Sequence, residues 1–226
     1  MVQYQIIVPG SNFKTSLGAM GFANLVLVET PDGLLLFDTG HYANRRYLLN
    51  ALESAGRKPD DISAVVLSHL HYDHSINVDL FPKAHVYVSK TEWEYAGNPH
   101  PMDTAIPWGV RELLEPWKKT LVEGSLEITK GVEFFPTPGH TPGSCSLALQ
   151  TEKGVVVLAG DAIKYPKEII QKNSDTAYTK EGTAKASIEK IMDMADIIVP
   201  GHFNELCRCE EHFVWEKDSE LTLISR

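Results

Sequence analysis

Cysteine is scarce in this chain. Cys145, Cys207 and Cys209 are the three thiols among 226 residues, too few, and too odd a number, for a disulfide framework. Long apolar runs are missing as well. No stretch approaches the roughly 18–20 consecutive apolar residues of a membrane span, so no membrane partner is expected. The N-terminal MVQYQIIVPG has neither a basic start nor an extended apolar segment, and a cytoplasmic location is expected on that ground. Cations are in deficit: 21 Lys and Arg stand against 30 Asp and Glu, a net charge of −9. With no basic stripe visible, a nucleic-acid partner is disfavoured. Low-complexity segments, short repeats and linkers are absent too. A chain with 43% hydrophobic and 23% charged residues is neither disordered nor a bare coiled coil. Residues 1–226 are therefore read as a single domain.

What the chain does have is a series of short apolar runs stopped by turn residues. Val2, Tyr4, Ile6 and Val8 alternate as a strand that ends at Pro9-Gly10. The runs 22–29 and 34–37, split by Pro31-Asp32-Gly33, predict a hairpin. Residues 42–55 predict a helix with Leu48, Leu52 and Ala55 on one face and Gly56 as its stop. Residues 62–68, 155–159 and 196–199 are continuous apolar runs, the mark of strands buried on both faces. Further strands are expected over 84–88, 125–135 and 144–150, a short helix over 90–96, and a longer one over 181–195. Residues 97–109, with three prolines and two glycines, read as a long loop and candidate lid. Residues 163–180 read as polar and irregular, a second candidate pocket wall. From 203 onwards the sequence is polar with scattered aromatics.

The ends of these runs carry the chemistry. Asp38, His69, Asp161 and His202 each follow an apolar strand directly, and His140 follows one through a proline turn. An α/β sheet that delivers such residues to one edge is building a site. The sharpest cluster is His69-Leu-His71-Tyr-Asp73-His74, three imidazoles and a carboxylate within six residues. His69 and His71 can reach one ion together, and Asp73 and His74 can reach a second. Imidazole with a hard carboxylate suits Zn²⁺, and also Mn²⁺, Fe²⁺ or Co²⁺. Asp161, at the end of a buried strand, needs a partner of opposite charge. Weaker candidates are His41, which would line the pocket or sit at a solvated helix start, the second being preferred, and His85, expected to pack within or at the edge of a sheet. His100 and Trp108 lie in the lid, where they would face substrate or bury against the core. Cys207-x-Cys209 lacks a second pair and reads as ordinary thiols; Glu210, Glu211 and His212 read as a solvated face.

The order His69-x-His71-x-Asp73-His74, then His140, Asp161 and His202, with the Asp38-Thr39-Gly40 turn ahead of it, resembles the ligand pattern of the metallo-β-lactamase-fold hydrolases over about residues 22–202. The resemblance implies an α/β fold of the αββα four-layer sandwich type. It implies two divalent metal ions, zinc first among them: His69, His71 and His140 on one, Asp73, His74 and His202 on the other, with Asp161 bridging. It also implies a metal-activated hydroxide attacking a small ester, lactone, thioester or amide, so the expected partner is a small-molecule substrate, and a homodimer is compatible with it. Asp73 is then placed to orient the nucleophile or carry its proton, and Asp38 to hold a ligand imidazole from outside. His at position 71, where the diiron flavoprotein members have Glu, favours a hydrolase. The 24 residues after His202 leave little room for the C-terminal helical region of glyoxalase II-like thioesterases.

Among short members the chain looks most like the N-acyl-homoserine-lactone lactonase group. Those lactonases place a Tyr three residues after the bridging Asp, to assist the substrate carbonyl or leaving oxygen. Here position 164 is Lys, and Tyr165 lies four residues after Asp161; Tyr165 and Lys164 are the candidates for that role. The alternatives on the same fold are a mononuclear iron persulfide dioxygenase and a phosphodiesterase or RNA nuclease. A non-catalytic metal-bound binding protein is opposed by the complete ligand set.

Overall fold

The apolar runs pair into two mixed β-sheets. A computed structural model describes residues 1–16 and 18–216. In chain order the elements are β1 (Gln3–Val8), a ribbon of β2 (Lys14–Thr15) and β3 (Gly18–Ala19), β4 (Leu25–Thr30), β5 (Gly33–Phe37), α1 (Arg45–Ser54), β6 (Ile62–Val66), α2 (Tyr72–Ser75), β7 (His85–Ser89), α3 (Lys90–Gly97) and α4 (Val110–Leu114). There follow β8 (Lys119–Val122), β9 (Leu126–Thr129), β10 (Val132–Pro136), β11 (Cys145–Thr151), β12 (Gly154–Gly160), α5 (Pro166–Gln171), α6 (Thr183–Met194), β13 (Ile197–Pro200), β14 (Leu206–Cys209) and β15 (His212–Val214). The first sheet has the order β1-β4-β5-β6-β7-β8, and the second β15-β14-β13-β12-β11-β10-β9.

Alternation along the strands shows why both faces had to be apolar. In β4, Leu25 and Leu27 point to the outer helices, whereas Val26 and Val28 point to the other sheet. In β12, Val156 and Leu158 face the first sheet, whereas Val157 and Ala159 face the helices on the far side. Three apolar interfaces result. Leu48 and Leu52 of α1 with Val110 and Leu114 of α4 cover the first sheet. Phe37, Val66, Phe134, Leu147 and Val199 fill the space between the sheets. Ile169 of α5 with Ile188 and Ile191 of α6 cover the second. This is the helix–sheet–sheet–helix order that the resemblance implied. Among the described residues no helix is long and apolar enough to cross a membrane.

Several local expectations need correction. The helix expected over 42–55 starts as a 3₁₀ turn over Tyr42–Asn44 before α1. The run 125–135 is two strands, β9 and β10, because Gly131 adopts φ +81° and turns the chain between them. Residues 163–180 contain α5, whose first residue is Pro166, where a missing N–H costs nothing. Of the polar tail after 203, residues 206–214 form the hairpin β14–β15 at the edge of the second sheet, and residues 217–226 lie outside the described residues. Helix α4 and strand β8 had no periodic signal long enough to read. Trp108 does not bury against the core: its side chain is fully exposed.

The two sheets are fastened at one edge. Cys145 N donates to Ser68 O at 2.9 Å, and Asn24 N to Gly201 O at 2.7 Å. The buried Asn24 amide donates to Pro200 O and to Phe203 O, each at 2.7 Å, and accepts from Gly10 N at 2.6 Å. Truncating Phe134, fully buried between the sheets, as Phe134→Ala is expected to cost about 3–5 kcal/mol. Trp108→Ser is expected to change stability by less than about 0.5 kcal/mol. Urea unfolding of the two variants checks the contrast.

Candidate metal centre

Each sheet contains a parallel pair whose C-terminal ends meet at the fastened edge: β5 beside β6, and β12 beside β13. Strand β5 runs into Asp38, β6 into Ser68 and His69, β12 into Asp161, and β13 into His202. Helix α2 adds Asp73 and His74, and the connection between β10 and β11 adds His140. The parallel register therefore brings residues far apart in sequence to one place. Gly201 is needed there: a Cβ on it would stand 2.2 Å from Asp161 Oδ1.

All seven sequence-predicted ligands come together. His69, His71 and His140 form one group whose ligand atoms lie within 4.8 Å of one another; His69, His74 and Asp161 form a second, and Asp73, His74 and His202 a third. His140 Nε2 is 3.0 Å from His71 Nδ1. The Asp161 carboxylate sits between the groups. Its Oδ2 is 3.3 Å from His140 Nε2, and its Oδ1 is 3.3 Å from His74 Nε2 and 3.2 Å from His202 Nε2. Asp73 Oδ2 approaches His202 Nε2 at 3.5 Å and His74 Nε2 at 3.7 Å.

The outer nitrogens of the five imidazoles are all engaged, which fixes the tautomers. His74 Nδ1 donates to Asp38 Oδ2 at 2.7 Å. Ser68 Oγ donates to the same Asp38 oxygen at 2.8 Å, so it accepts from His69 Nδ1 at 2.9 Å. His202 Nδ1 donates to Phe22 O, and His140 Nδ1 to Thr176 O, each at 2.9 Å. His71 Nε2 donates to Asp103 Oδ2 at 3.0 Å. With these protons placed outwards, each imidazole in its neutral form points a lone pair inwards. His69 Nε2, His74 Nε2 and Asp161 Oδ1 are buried without a hydrogen bond of their own. Buried polar atoms are rarely left so, and a set of imidazole nitrogens and carboxylate oxygens aimed at a common centre is a donor set for divalent cations. Asp38 reaches Ser68 and His74 by adopting φ +60°, a left-handed conformation that costs energy in a non-glycine residue and recurs at functional turns.

Charge in the cluster is uneven. Burial and the neighbouring His74 and His71 push His69 well below the usual histidine range, and burial also lowers His140. Burial opposes a charge on His74 and His202 too, yet the carboxylates Asp161 and Asp73 override it and raise both, His74 strongly. Asp161 is held well below the carboxylate range, despite burial, by His202, His74 and His140.

Tyr165 and Lys164 are turned to other partners. The Tyr165 hydroxyl donates to Asp175, and Lys164 Nζ pairs with the buried Glu168 at 2.7 Å and Ser174 Oγ at 3.0 Å. Sequence reasoning missed three residues that do touch the centre or its support. Asp103 holds His71, and its signal was its place as the only acid in the loop 98–109. Glu92, wholly buried on α3, accepts from Leu70 N at 3.0 Å, Thr141 Oγ1 at 2.6 Å and Gly143 N at 3.2 Å, clamping the two ligand loops together. Tyr178 places its ring 6.3 Å from that of His71 and 6.2 Å from that of His140; neither it nor Glu92 had a sequence signal. His41 does start a helical turn, as its cap, but is half-buried rather than solvated, stacked on Phe22 at 5.1 Å and meeting Tyr72 edge-on at 5.6 Å. His85 packs as expected, on Tyr87 and Thr120.

The family model described as the Metallo-beta-lactamase superfamily matches residues 18–202. An N-acyl homoserine lactonase of Bacillus thuringiensis is 29% identical over 205 residues, covering 78% of this chain and 79% of the relative. Metallo-beta-lactamase domain-containing protein 1 of Homo sapiens is 33% identical over 199 residues, covering 86% of this chain and 67% of the relative. A solved N-acyl homoserine lactone hydrolase, with the product N-hexanoyl-L-homoserine bound at its catalytic metal centre, overlays with a TM-score of 0.69 at 23% identity, covering 94% of this chain and 98% of that one. At that identity the likeness carries the fold.

The raised His74 and His202 make cation uptake a proton-releasing event, because an imidazole must be neutral to bind a metal. Adding Zn²⁺ to chelator-stripped protein near pH 7 is expected to release protons. Apparent affinity is expected to climb with pH until both imidazoles are neutral in the free protein, and to fall as pH drops. Calorimetry in buffers of different ionisation enthalpy counts the protons.

Proposed function

The chain belongs to the metallo-beta-lactamase superfamily and is a hydrolase of that kind, and from this premise we propose that it is a dinuclear zinc hydrolase that opens an acylated lactone or a closely related small ester. The observation that carries the proposal is the split engagement of Asp161, with Oδ2 toward His140 of one ligand group and Oδ1 toward His74 and His202 of the other. His69, His71 and His140 would hold one cation, Asp73, His74 and His202 the second, and Asp161 both. When bound, the two cations bring the pKa of water into the neutral range and neutralise charge developing at the attacked carbonyl.

The remaining work falls to this chain's side chains. Asp73, the most open of the seven at 13% side-chain exposure, accepts a proton from the attacking water and returns it to the leaving oxygen. Asp38 and Ser68 keep His69 and His74 in their metal-binding tautomers. Aromatic groups flank the centre on both sides: Phe22, His41 and Tyr72 toward Asp73, and His100 and Tyr178 toward His71 and His140. Such walls suit an apolar acyl chain. The lactonase relatives support the lactone class over other esters. Tyr178, whose ring lies beside those of His71 and His140 and whose hydroxyl makes only a long 3.4 Å contact to Met102 O, takes the substrate-facing phenol role in place of Tyr165 and Lys164, whose polar ends are held by carboxylates.

The test is ring opening of N-acyl homoserine lactones of graded chain length, followed as acid release. Metal-dependent opening, abolished by a chelator and restored by Zn²⁺, is expected. Asp73→Asn is expected to lower kcat by about 10²–10⁴-fold. Tyr178→Phe is expected to lower kcat/KM by about tenfold, and Tyr165→Phe by less than about twofold. Oxygen consumption with glutathione persulfide, or cleavage of a bis-aryl phosphate without lactone opening, would replace the proposal by the dioxygenase or phosphodiesterase reading.

A further inference from the structure

The five imidazoles differ in what holds their outer nitrogens. His69 and His74 are held from the end of the first sheet, through Ser68 and Asp38. His202 is held by Phe22 O, just ahead of β4. His71 and His140 are held instead from the two segments that wall one pocket, which His100 lines from one side and Tyr178 and Thr179 from the other. Asp103, in the loop 98–109, accepts from His71 Nε2. Thr176 O, in the segment between α5 and α6, accepts from His140 Nδ1. Both of these imidazoles belong to the group completed by His69. One candidate metal position is thus anchored largely by pocket walls, and the other is not.

Asp103 is built into its place. It is 6% exposed. Besides His71, its Oδ2 accepts from the Tyr95 hydroxyl at 2.7 Å, and its Oδ1 from Ala105 N at 3.0 Å. Ala105 O in turn accepts from Tyr72 N at 2.9 Å, at the start of the helix that carries Asp73 and His74. The loop is therefore joined to the ligand cluster at two points, one through a charged hydrogen bond to an imidazole. Its neighbours on the same loop, His100 and Met102, face the opposite wall: the His100 ring lies 5.7 Å from that of Tyr178, and Met102 O is 3.4 Å from its hydroxyl.

We infer that Asp103 is a positioning residue that couples the pocket loop 98–109 to the cation held by His69, His71 and His140, so that loop order and metal retention at that position are one equilibrium. The inference rests on reading those three residues as ligands. A carboxylate on the outer nitrogen fixes the ring's orientation and raises the basicity of the inner nitrogen; removing such a partner weakens metal binding about 10–100-fold. The coupling is reciprocal: whatever Asp103 adds to cation affinity, the cation adds to the order of the loop. Asn at this position keeps an accepting oxygen without the charge, and Ala keeps neither. The wall that holds His140 does so through a backbone carbonyl, untouched by either change, and serves as an internal control.

The experiment starts from Zn²⁺-loaded protein and withdraws metal with a competing chelator. It reads zinc affinity together with amide hydrogen exchange over residues 98–109 and 172–180. In the wild type, both segments are expected to lose protection as the weaker-held zinc leaves. In Asp103→Ala, one zinc is expected to bind about 10–100-fold more weakly, and protection of 98–109 no longer to follow it, while 172–180 still does. Asp103→Asn is expected to recover part of both effects. The visible spectrum of the Co²⁺-substituted protein is expected to change in Asp103→Ala and to move back toward wild type in Asp103→Asn. Wild-type zinc affinity in Asp103→Ala would overturn the inference while leaving the metal centre standing. So would weakened zinc with 98–109 still tracking it. A wild-type protein that binds no zinc would overturn the ligand reading itself. If Asp103→Ala does not fold, as circular dichroism would show, Asp103→Asn must carry both effects in reduced form or the inference fails.

Discussion

Burying imidazoles and carboxylates is costly unless each polar atom has a partner, and this constraint organises the protein. His69, His71, His74, His140, His202 and Asp161 are all buried where the two sheets meet. The outer nitrogens solve half of the problem, with Ser68, Asp38, Asp103, Thr176 O and Phe22 O as partners. The inner nitrogens and Asp161 solve the other half only partly among themselves, and the pair of cations we propose would complete the satisfaction. The left-handed backbone of Asp38, the buried Asn24 amide and the buried Glu92 carboxylate follow from the same requirement, since each holds a ligand-bearing turn in place.

The scaffold makes that edge available through two parallel strand pairs. Strands β5 and β6 end beside each other, as do β12 and β13, and packing the sheets face to face sets the two pairs of ends together. Apolar burial between the sheets therefore aligns the site. The substrate-side features lie on the segments joining these strands, where side-chain choice is free of the core.

This division explains what could be read from the amino acids alone. The run ISAVVLS leading into His69, and VVVLAG into Asp161, announced both a doubly buried strand and what its end delivers, so the layers and the seven candidate ligands that gather at one edge were legible. Asp38 was legible as an outer partner for the same reason. Elements whose stability comes from neighbours rather than from their own pattern were not: the five-residue α4, the edge hairpin β14–β15, and α5 inside a polar stretch. Asp103, Glu92 and Tyr178 were missed because their roles depend on where a loop or a helix face comes to rest. Tyr165 and Lys164 show the converse. Their sequence distance from Asp161 suggested a role, but a one-residue offset and the Glu168 and Asp175 carboxylates draw their polar ends away.

The central claim is that this arrangement holds two cations bridged by Asp161. The most direct test is metal content by mass spectrometry on protein purified without added metal, set beside the content of Asp161→Ala. The account predicts about two divalent ions per chain, zinc foremost, and about one or fewer in the variant, because the bridging carboxylate serves both positions. A single iron per wild-type chain, or an Asp161→Ala variant that keeps both ions, would contradict it.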